Sequence, residues 1–151
     1  MKNIAIILSA GSGQRFNDNL PKQYHKINDR MVVEYVIDEV KKSKLIDDVV
    51  FVASNFYLAI ALCEQYGMRF VEGGKTRSIS IANGLDCIKE HYPNVEKIIV
   101  FDSARPFVKS YLISEYMDLL DEYDGVITTC AITDSLGDYE NNNINRDNYY
   151  L

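Results

Sequence analysis

The chain has 151 residues, of which 47% are hydrophobic and 25% are charged, and its formal net charge is −6. This length predicts one domain with its own core. The negative charge argues against general nucleic-acid binding, which needs a basic face. No stretch is long and apolar enough to cross a bilayer, and the apolar run at the start leads into a glycine-rich loop instead of a signal-peptide cleavage site. We therefore expect a cytoplasmic protein with neither membrane nor nucleic-acid partners.

The cysteines and histidines exclude two further classes of site. Cys63, Cys87 and Cys130 are odd in number, widely spaced and form no CxxC pair. The sequence thus predicts neither a disulfide framework nor a zinc site. With only two histidines in the chain, His25 and His91, a histidine-based metal site or catalytic dyad is not expected either.

In chain order, apolar runs alternate with segments of helical periodicity. Five runs predict strands, at Asn3–Ser9, Asp48–Ala53, Met68–Glu72, Lys97–Phe101 and Gly125–Ile132. Four segments predict helices, at Met31–Ser43, Phe56–Tyr66, Arg77–Glu90 and Tyr111–Tyr123. Strands that are apolar on both faces and alternate with helices indicate an α/β fold with a parallel sheet. No linker or repeat interrupts this order, so residues 1–151 are predicted to form a single domain.

The chemistry-bearing residues follow predicted strands. In an open parallel sheet, ligands bind outside the carboxyl ends of the strands. Four segments fall at that edge: residues 9–24, residues 73–80, residues 102–106 and the polar stretch from Asp134 onwards. They hold the glycines, several cations and one aspartate, so the sequence predicts a ligand site there.

The first of these segments predicts a phosphate-binding loop. It places a glycine-rich turn directly after a buried strand and follows it with Arg15 and Lys22. Glycines let backbone N–H groups approach phosphate oxygens, and the two cations would neutralise charge on a polyphosphate.

Two common phosphate-binding devices do not match. A dinucleotide fold needs a third glycine in the first loop and an acidic residue after the second strand, which here ends Ala53-Ser54-Asn55. A Walker A loop would need a glycine where Arg69 stands, five residues before Gly74. The loop after the third strand must therefore serve another purpose.

Four motifs taken together indicate a protein family far more specifically than the phosphate-binding loop does alone. They are AGSGQR at 10–15, PKQY at 21–24, GGKTRSISIANGL at 73–85 and FDSARPFV at 101–108. In this order the chain resembles the cytidylyltransferases that activate small phosphorylated polyols, whose members act on 2-C-methyl-D-erythritol 4-phosphate or on ribitol 5-phosphate. The resemblance implies a Rossmann-like, three-layer nucleotidyltransferase fold with a mostly parallel sheet. It also implies transfer of CMP from CTP to a polyol phosphate, with Mg²⁺ as cofactor and pyrophosphate as product.

The resemblance assigns roles on the nucleotide side. Residues of the first loop would line the CTP phosphates, and its two cations would act in catalysis by stabilising charge on the transition state and the leaving pyrophosphate. Residues of the segment 73–80 would recognise cytosine or order the loop that does so. The phosphate-lining residues are Ala10, Gly11 and Gly13, the catalytic pair is Arg15 and Lys22, and the base-recognition set is Gly74, Arg77 and Ser80.

The resemblance also assigns residues to the metal and to the acceptor phosphate. Asp102 would bind Mg²⁺, and Arg105, Ser135 and Arg146 would hold the substrate phosphate. Residues 134–147 correspond to a dimerisation arm that reaches the neighbouring subunit, which implies a homodimer. From the resemblance we expect this arm to be shorter than is usual, and we expect these 151 residues to lack the carboxyl-terminal part that supplies a second metal carboxylate and a second lysine in the family.

Three alternatives stay open at this point. The acceptor is undecided, since Ser103 is closer to the ribitol-phosphate enzymes whereas PKQY leans towards the methylerythritol enzymes. A truncated relative could bind CTP without turnover. Another nucleotidyltransferase, such as a molybdopterin guanylyltransferase, would be expected to carry LAGG with a lone lysine and to lack PKQY.

Overall fold

The computed structural model describes residues 1–11, 20–54 and 57–130. The elements in chain order are β1 (Lys2–Ser9), β2 (Lys26–Ile27), β3 (Arg30–Met31), α1 (Val32–Lys42), β4 (Asp48–Ala53), α2 (Tyr57–Tyr66), β5 (Arg69–Glu72), α3 (Arg77–His91), β6 (Val95–Asp102) and α4 (Ser110–Leu119). A 3₁₀ turn, Lys22–Tyr24, precedes β2. The chain divides into two compact units, residues 1–118 and residues 119–151.

Four strands of the first unit form a sheet in the order β5-β4-β1-β6, and every pair is parallel. The predicted α/β fold with a parallel sheet is confirmed. Because α1, α2 and α3 lie between successive strands of this four-stranded sheet, the crossover connections needed for parallel pairing are present.

Both faces of the sheet are covered. Successive side chains of a strand point to opposite faces, and residues 4 to 8 of β1 are all buried. One set, Ile4, Ile6 and Leu8, packs with Val50 and Val52 of β4 and with Ile88 and Tyr92 at the end of α3. The central strands are therefore interior on both sides, which explains why their sequences lack the polar–apolar alternation of a half-exposed strand.

Helix α3 lies close to the sheet because a glycine faces the strands. A Cβ atom at Gly84 would lie 3.1 Å from Val52 Cγ2 and 3.2 Å from Ile6 Cδ1. These distances are shorter than most contacts between real side chains, so the absence of a side chain at Gly84 permits this approach.

The short hairpin β2–β3 was not predicted. Its turn residues Asn28 and Asp29 have φ values of 50° and 63°. Two consecutive left-handed residues form the tight hairpin turn whose twist matches antiparallel strands, and Asn and Asp tolerate this conformation best after glycine. The two-residue strands are too short to produce an alternating apolar pattern, so only the turn dipeptide carried a signal.

The predicted fifth strand is wrong for the part that the structure describes. Residues 125–130 have no regular secondary structure, and Ile127 is 84% exposed. The apolar character of the run suits a strand, but a strand also needs a hydrogen-bonded neighbour and a face to bury. Helix α4 likewise ends at Leu119, four residues before the predicted end.

No helix in the described part of the chain is long and apolar enough to cross a membrane.

Candidate active site

The strand ends lie side by side at one edge of the sheet. Ser9 at the end of β1 pairs in register with Ala53 of β4, which in turn pairs with Glu72 of β5. On the other side of β1, Leu8 pairs with Asp102 of β6. The segments that follow these strands in residues 1–118 therefore leave the sheet at a common edge, as the sequence predicted.

The glycine-rich loop leaves β1 through a stem formed by residues 9–11, and the KQY turn holds that stem. The Gln23 amide donates from Nε2 to the carbonyl oxygens of Ser9 (2.8 Å) and Gly11 (3.3 Å). The Ser9 hydroxyl donates to the Tyr24 hydroxyl at 3.1 Å. Gln23 and Tyr24 are both almost fully buried, and burial raises the pKa of Tyr24 above its ordinary value. The PKQY motif is thus attached to the end of the first strand.

Lys22 is exposed at the start of this turn. Its neighbour Gln23 is bonded to Ser9 and Gly11, so the backbone of Lys22 lies beside the loop stem. The predicted roles of Lys22, Ala10 and Gly11 stay predictions.

The second loop, residues 73–76, is held by Ser80. The Ser80 hydroxyl accepts a hydrogen bond from Gly74 N (3.1 Å) and donates to the carbonyl oxygen of Thr76 (3.0 Å). Thr76 caps α3 by accepting from Ile79 N at 3.2 Å. Because Ser80 is only 4% exposed and its hydroxyl is used within the loop, it fixes the loop backbone. Its predicted contact with cytosine stays a prediction.

The two loops approach each other closely at a glycine. Gly73 N donates to the carbonyl oxygen of Ala53 (2.9 Å), and a Cβ atom at Gly73 would collide with Cβ of Ala10. A Cβ atom at Gly74 would likewise collide with the Ile79 side chain. Both positions of the glycine pair are therefore required sterically, the first by the neighbouring loop and the second by the first turn of α3.

Asp102 lies between two arginines. Its Oδ1 accepts from Arg77 Nη2 (3.2 Å) and Nε (3.4 Å), and its Oδ2 lies 3.2 Å from Arg105 Nε. Arg105 N also donates to the Asp102 carbonyl oxygen, which closes a turn after β6. The cluster carries one more positive than negative charge, so its exposed side favours an anion.

A metal could use Asp102 only together with other ligands. No group of three or more His, Cys, Asp or Glu side chains that could hold a metal occurs in residues 1–11, 20–54 and 57–130. The Asp102 carboxylate is a hard oxygen donor and its side chain is 32% exposed. Mg²⁺ commonly binds through one or two carboxylates plus substrate phosphates, so this single carboxylate fits that ion if a polyphosphate supplies further oxygens.

Four predicted site residues lie outside the described ranges. They are Gly13, Arg15, Ser135 and Arg146, and the proposed arm at 134–147 lies outside as well. The described members are brought to one edge, namely Ala10, Gly11, Lys22, Gly74, Arg77, Ser80, Asp102 and Arg105.

Sequence reasoning missed three residues that shape this edge: Gln23, Ser54 and Gly73. Ser54 Oγ donates to the Ala10 carbonyl oxygen at 3.3 Å. The available signals were an amide side chain next to the lysine in PKQY and a doublet of glycines after a strand. Neither signal shows which atoms of another segment the side chain or the glycine contacts, because those contacts depend on how the chain folds.

A parallel α/β sheet with two glycine-containing loops, a lysine and a carboxylate–arginine cluster at its carboxyl edge is typical of α/β proteins that bind a ligand at the carboxyl ends of their strands. The family model described as IspD, 2-C-methyl-D-erythritol 4-phosphate cytidylyltransferase, matches residues 3–147. The chain belongs to this family.

Relatives and solved structures agree with that assignment. The 2-C-methyl-D-erythritol 4-phosphate cytidylyltransferase of Thermotoga neapolitana is 33% identical over 137 residues, which cover 89% of this chain and 61% of the relative. That of Thermosipho melanesiensis is 28% identical, with 92% of this chain and 63% of the relative covered. The crystal structure of 4-diphosphocytidyl-2C-methyl-D-erythritol synthase from Anaerococcus prevotii superposes with a TM-score of 0.80 at 28% identity, covering 99% of this chain and 66% of that one. The chain thus spans about three fifths of the length of the relatives that it matches.

Proposed function

We propose that this chain carries the CTP site of a cytidylyltransferase that transfers CMP to 2-C-methyl-D-erythritol 4-phosphate. The observation that supports the proposal best is the convergence of the glycine-loop stem, Lys22 and the Arg77–Asp102–Arg105 cluster at one sheet edge. Membership of the family supports the choice of reaction. The names of the relatives favour the methylerythritol acceptor over ribitol 5-phosphate.

The proposed reaction makes one bond and breaks one. A phosphate oxygen of the acceptor attacks the α-phosphorus of CTP, and the bond from that phosphorus to the bridging oxygen of the β-phosphate breaks to release pyrophosphate. The acceptor phosphate is already largely ionised at neutral pH, since its second pKa lies near 6. No general base is therefore needed, and the protein contributes positioning and charge neutralisation.

Each residue has a task in this scheme. We assign to Lys22 and Arg15 the neutralisation of charge that builds up on the transferring and leaving phosphates, and to the backbone of Ala10, Gly11 and Gly13 the binding of the polyphosphate. Residues Gly74 and Ser80 form the cytosine side, with Arg77 bracing them from the first turn of α3. On the acceptor side we assign Arg105, Ser135 and Arg146, the last two reaching across a homodimer.

Magnesium fits this proposal at Asp102. When bound with CTP, Mg²⁺ would supply Lewis-acid charge that polarises the phosphate oxygens. Asp102 would then exchange its arginine partners for the ion, which leaves Arg77 and Arg105 available to phosphate oxygens.

Pyrophosphate release tests the proposal. We would incubate the chain with CTP, Mg²⁺ and either 2-C-methyl-D-erythritol 4-phosphate, ribitol 5-phosphate or no acceptor, and repeat the series with GTP. Release that requires CTP and the methylerythritol acceptor supports the proposal. Release with ribitol 5-phosphate alone, or with GTP in place of CTP, overturns the stated substrates.

Two variants connect the result to the site. Lys22→Gln should reduce turnover at least about 100-fold, the usual cost of removing one preorganised charge-stabilising group. Lys44→Gln, which changes an exposed lysine in the turn before β4, is the matched control and should leave turnover unchanged. Binding of CTP without any turnover in the parent chain would instead identify a nucleotide-binding module.

A further inference from the structure

Three consecutive carbonyl groups at the stem of the glycine-rich loop are each bonded by a side chain from elsewhere in the fold. Gln23 Nε2 donates to the carbonyl oxygens of Ser9 and Gly11, at 2.8 Å and 3.3 Å. Ser54 Oγ donates to the intervening carbonyl oxygen of Ala10 at 3.3 Å. The donors come from the KQY turn and from the residue after β4, so two separate segments fix one short piece of backbone.

The chemistry of Gln23 suits this arrangement specifically. A neutral amide nitrogen has two hydrogens, and Gln23 Nε2 lies within hydrogen-bond distance of two loop carbonyl oxygens. The side chain is only 3% exposed, so any replacement must also be accommodated in a buried space. An ionised carboxylate of the same shape would only accept hydrogen bonds and would repel both carbonyl oxygens.

Attachment of the turn to the sheet does not depend on Gln23 alone. Tyr24 is buried beside Ser9 and is bonded to its hydroxyl. Because Tyr24 already anchors the turn, the hydrogen bonds of Gln23 act mainly on the backbone of the loop stem. Ser54 is exposed, and its hydroxyl likewise reaches loop backbone.

Carbonyl oxygens carry partial negative charge and repel phosphate, whereas N–H groups attract it. We propose that Gln23 and Ser54 are positioning residues that hold the carbonyls of Ser9, Ala10 and Gly11 in protein hydrogen bonds and so set the loop stem for a polyphosphate. The proposal rests on the proposed function in one respect, that this loop receives the phosphates of CTP.

Binding of inorganic tripolyphosphate tests the stem independently of the base. Calorimetry would compare the parent chain with Gln23→Met, which preserves length and loses both donors, and with Ser54→Ala. We expect tripolyphosphate to bind at least about tenfold more weakly to Gln23→Met, a change of about 1.4 kcal/mol, and about threefold more weakly to Ser54→Ala. Cytidine, which has no phosphate, should bind the parent chain and both variants equally.

Matched controls separate positioning from folding. Gln65→Met on α2 and Ser114→Ala on α4 make the same chemical changes elsewhere and should leave tripolyphosphate binding unchanged. If Gln23→Met does not fold, Ser54→Ala at its exposed position decides the question.

The outcomes are distinct. Unchanged tripolyphosphate binding in Gln23→Met or, if that variant does not fold, in Ser54→Ala overturns the inference. Equal weakening of cytidine and tripolyphosphate overturns it as well, because the residues would then act on the whole fold. A parent chain that binds tripolyphosphate but shows no preference for CTP over GTP leaves the stem intact and overturns the proposed function instead.

Discussion

At the scale of single residues, the Asp102 carboxylate joins two arginines that come from different segments of the chain. Its two oxygens hold Arg77 from α3 and Arg105 from the turn after β6. Exposed ion pairs of this kind add little stability, typically less than about 1 kcal/mol. We therefore infer that these ion pairs serve mainly to fix where the charges of Arg77 and Arg105 lie, and that they contribute little to the stability of the fold.

Replacing Asp102 tests that explanation. We expect Asp102→Asn to lower turnover at least about 100-fold, since a neutral amide neither orients both arginines nor binds a cation well. Its free energy of unfolding should change by less than about 1 kcal/mol. Pyrophosphate release and urea unfolding measure the two quantities, with Asp86→Asn on the exposed side of α3 as control. Full activity in Asp102→Asn would contradict the assignment.

The contact between the two glycine loops supports a second prediction. Gly73→Ala places a methyl group against Ala10, so one of the loops must move. We expect the KM for CTP to rise about tenfold or more, because part of the binding free energy must then move the displaced loop back; overpacking of this kind costs about 1–3 kcal/mol. Steady-state kinetics would measure it. Gly125→Ala, where an added Cβ meets nothing within 4 Å, is the control, and an equal effect in both variants would argue against the steric cause.

At the scale of elements, α3 connects the core to the site. Its first turn carries Arg77 and Ser80, its middle touches β1 and β4 through Gly84, and its end buries Ile88. The start of the helix therefore sets where the loop of residues 73–76 and one partner of Asp102 lie.

The cap of α3 can be tested directly. Thr76→Ala removes the acceptor for Ile79 N and should reduce the free energy of unfolding by about 1 kcal/mol. Thr76→Ser keeps the hydroxyl and should restore most of that loss. Urea denaturation measures both variants, and equal stability of alanine and serine at this position would show that the cap contributes nothing.

The elements that were predictable are those whose apolar residues form recognisable runs or faces. The strands that became β1, β4, β5 and β6 and all four helices were predicted, since interior strands are short apolar runs between turns and α1 in particular has one apolar face. The hairpin at Asn28–Asp29 is too short for such a pattern. The run at 125–130 has the composition of a strand, and composition does not supply a pairing partner.

At the scale of the whole molecule, parallel topology gathers distant segments. Parallel pairing brings the carboxyl ends of β1, β4, β5 and β6 to one edge, although the segments that follow them are spread from residue 9 to residue 106. A chain with net charge −6 thus places Lys22, Arg77 and Arg105 at one edge.

Global unfolding can be followed through Cys63. Burial raises the pKa of its thiol to about 11, so the unreactive neutral form persists at pH 8. We expect iodoacetamide to label the exposed Cys130 in the native protein and Cys63 only after unfolding in urea. Mass spectrometry of labelled peptides would show this order, and rapid native labelling of Cys63 would contradict it.

The same shift predicts a pH dependence. Between an unfolded pKa of about 9 and a folded pKa of about 11, the unfolded chain loses the Cys63 proton while the folded chain keeps it. Stability should therefore fall as the pH rises through this window. In Cys63→Ala, urea unfolding at pH 8 and pH 10.5 should show a smaller decline than in the parent chain.

By itself the sequence determined the class of fold, the family resemblance and which segments gather at the carboxyl edge of the sheet, because apolar periodicity and ordered motifs are properties of the chain. Only the tertiary structure decided that Gln23 and Ser54 hold the loop stem, that Gly73 faces Ala10 and that Asp102 bridges two arginines. Those contacts join segments that are separated in the chain, and no local sequence pattern predicts how the loops run. They therefore form only once the strands have paired and α3 has packed.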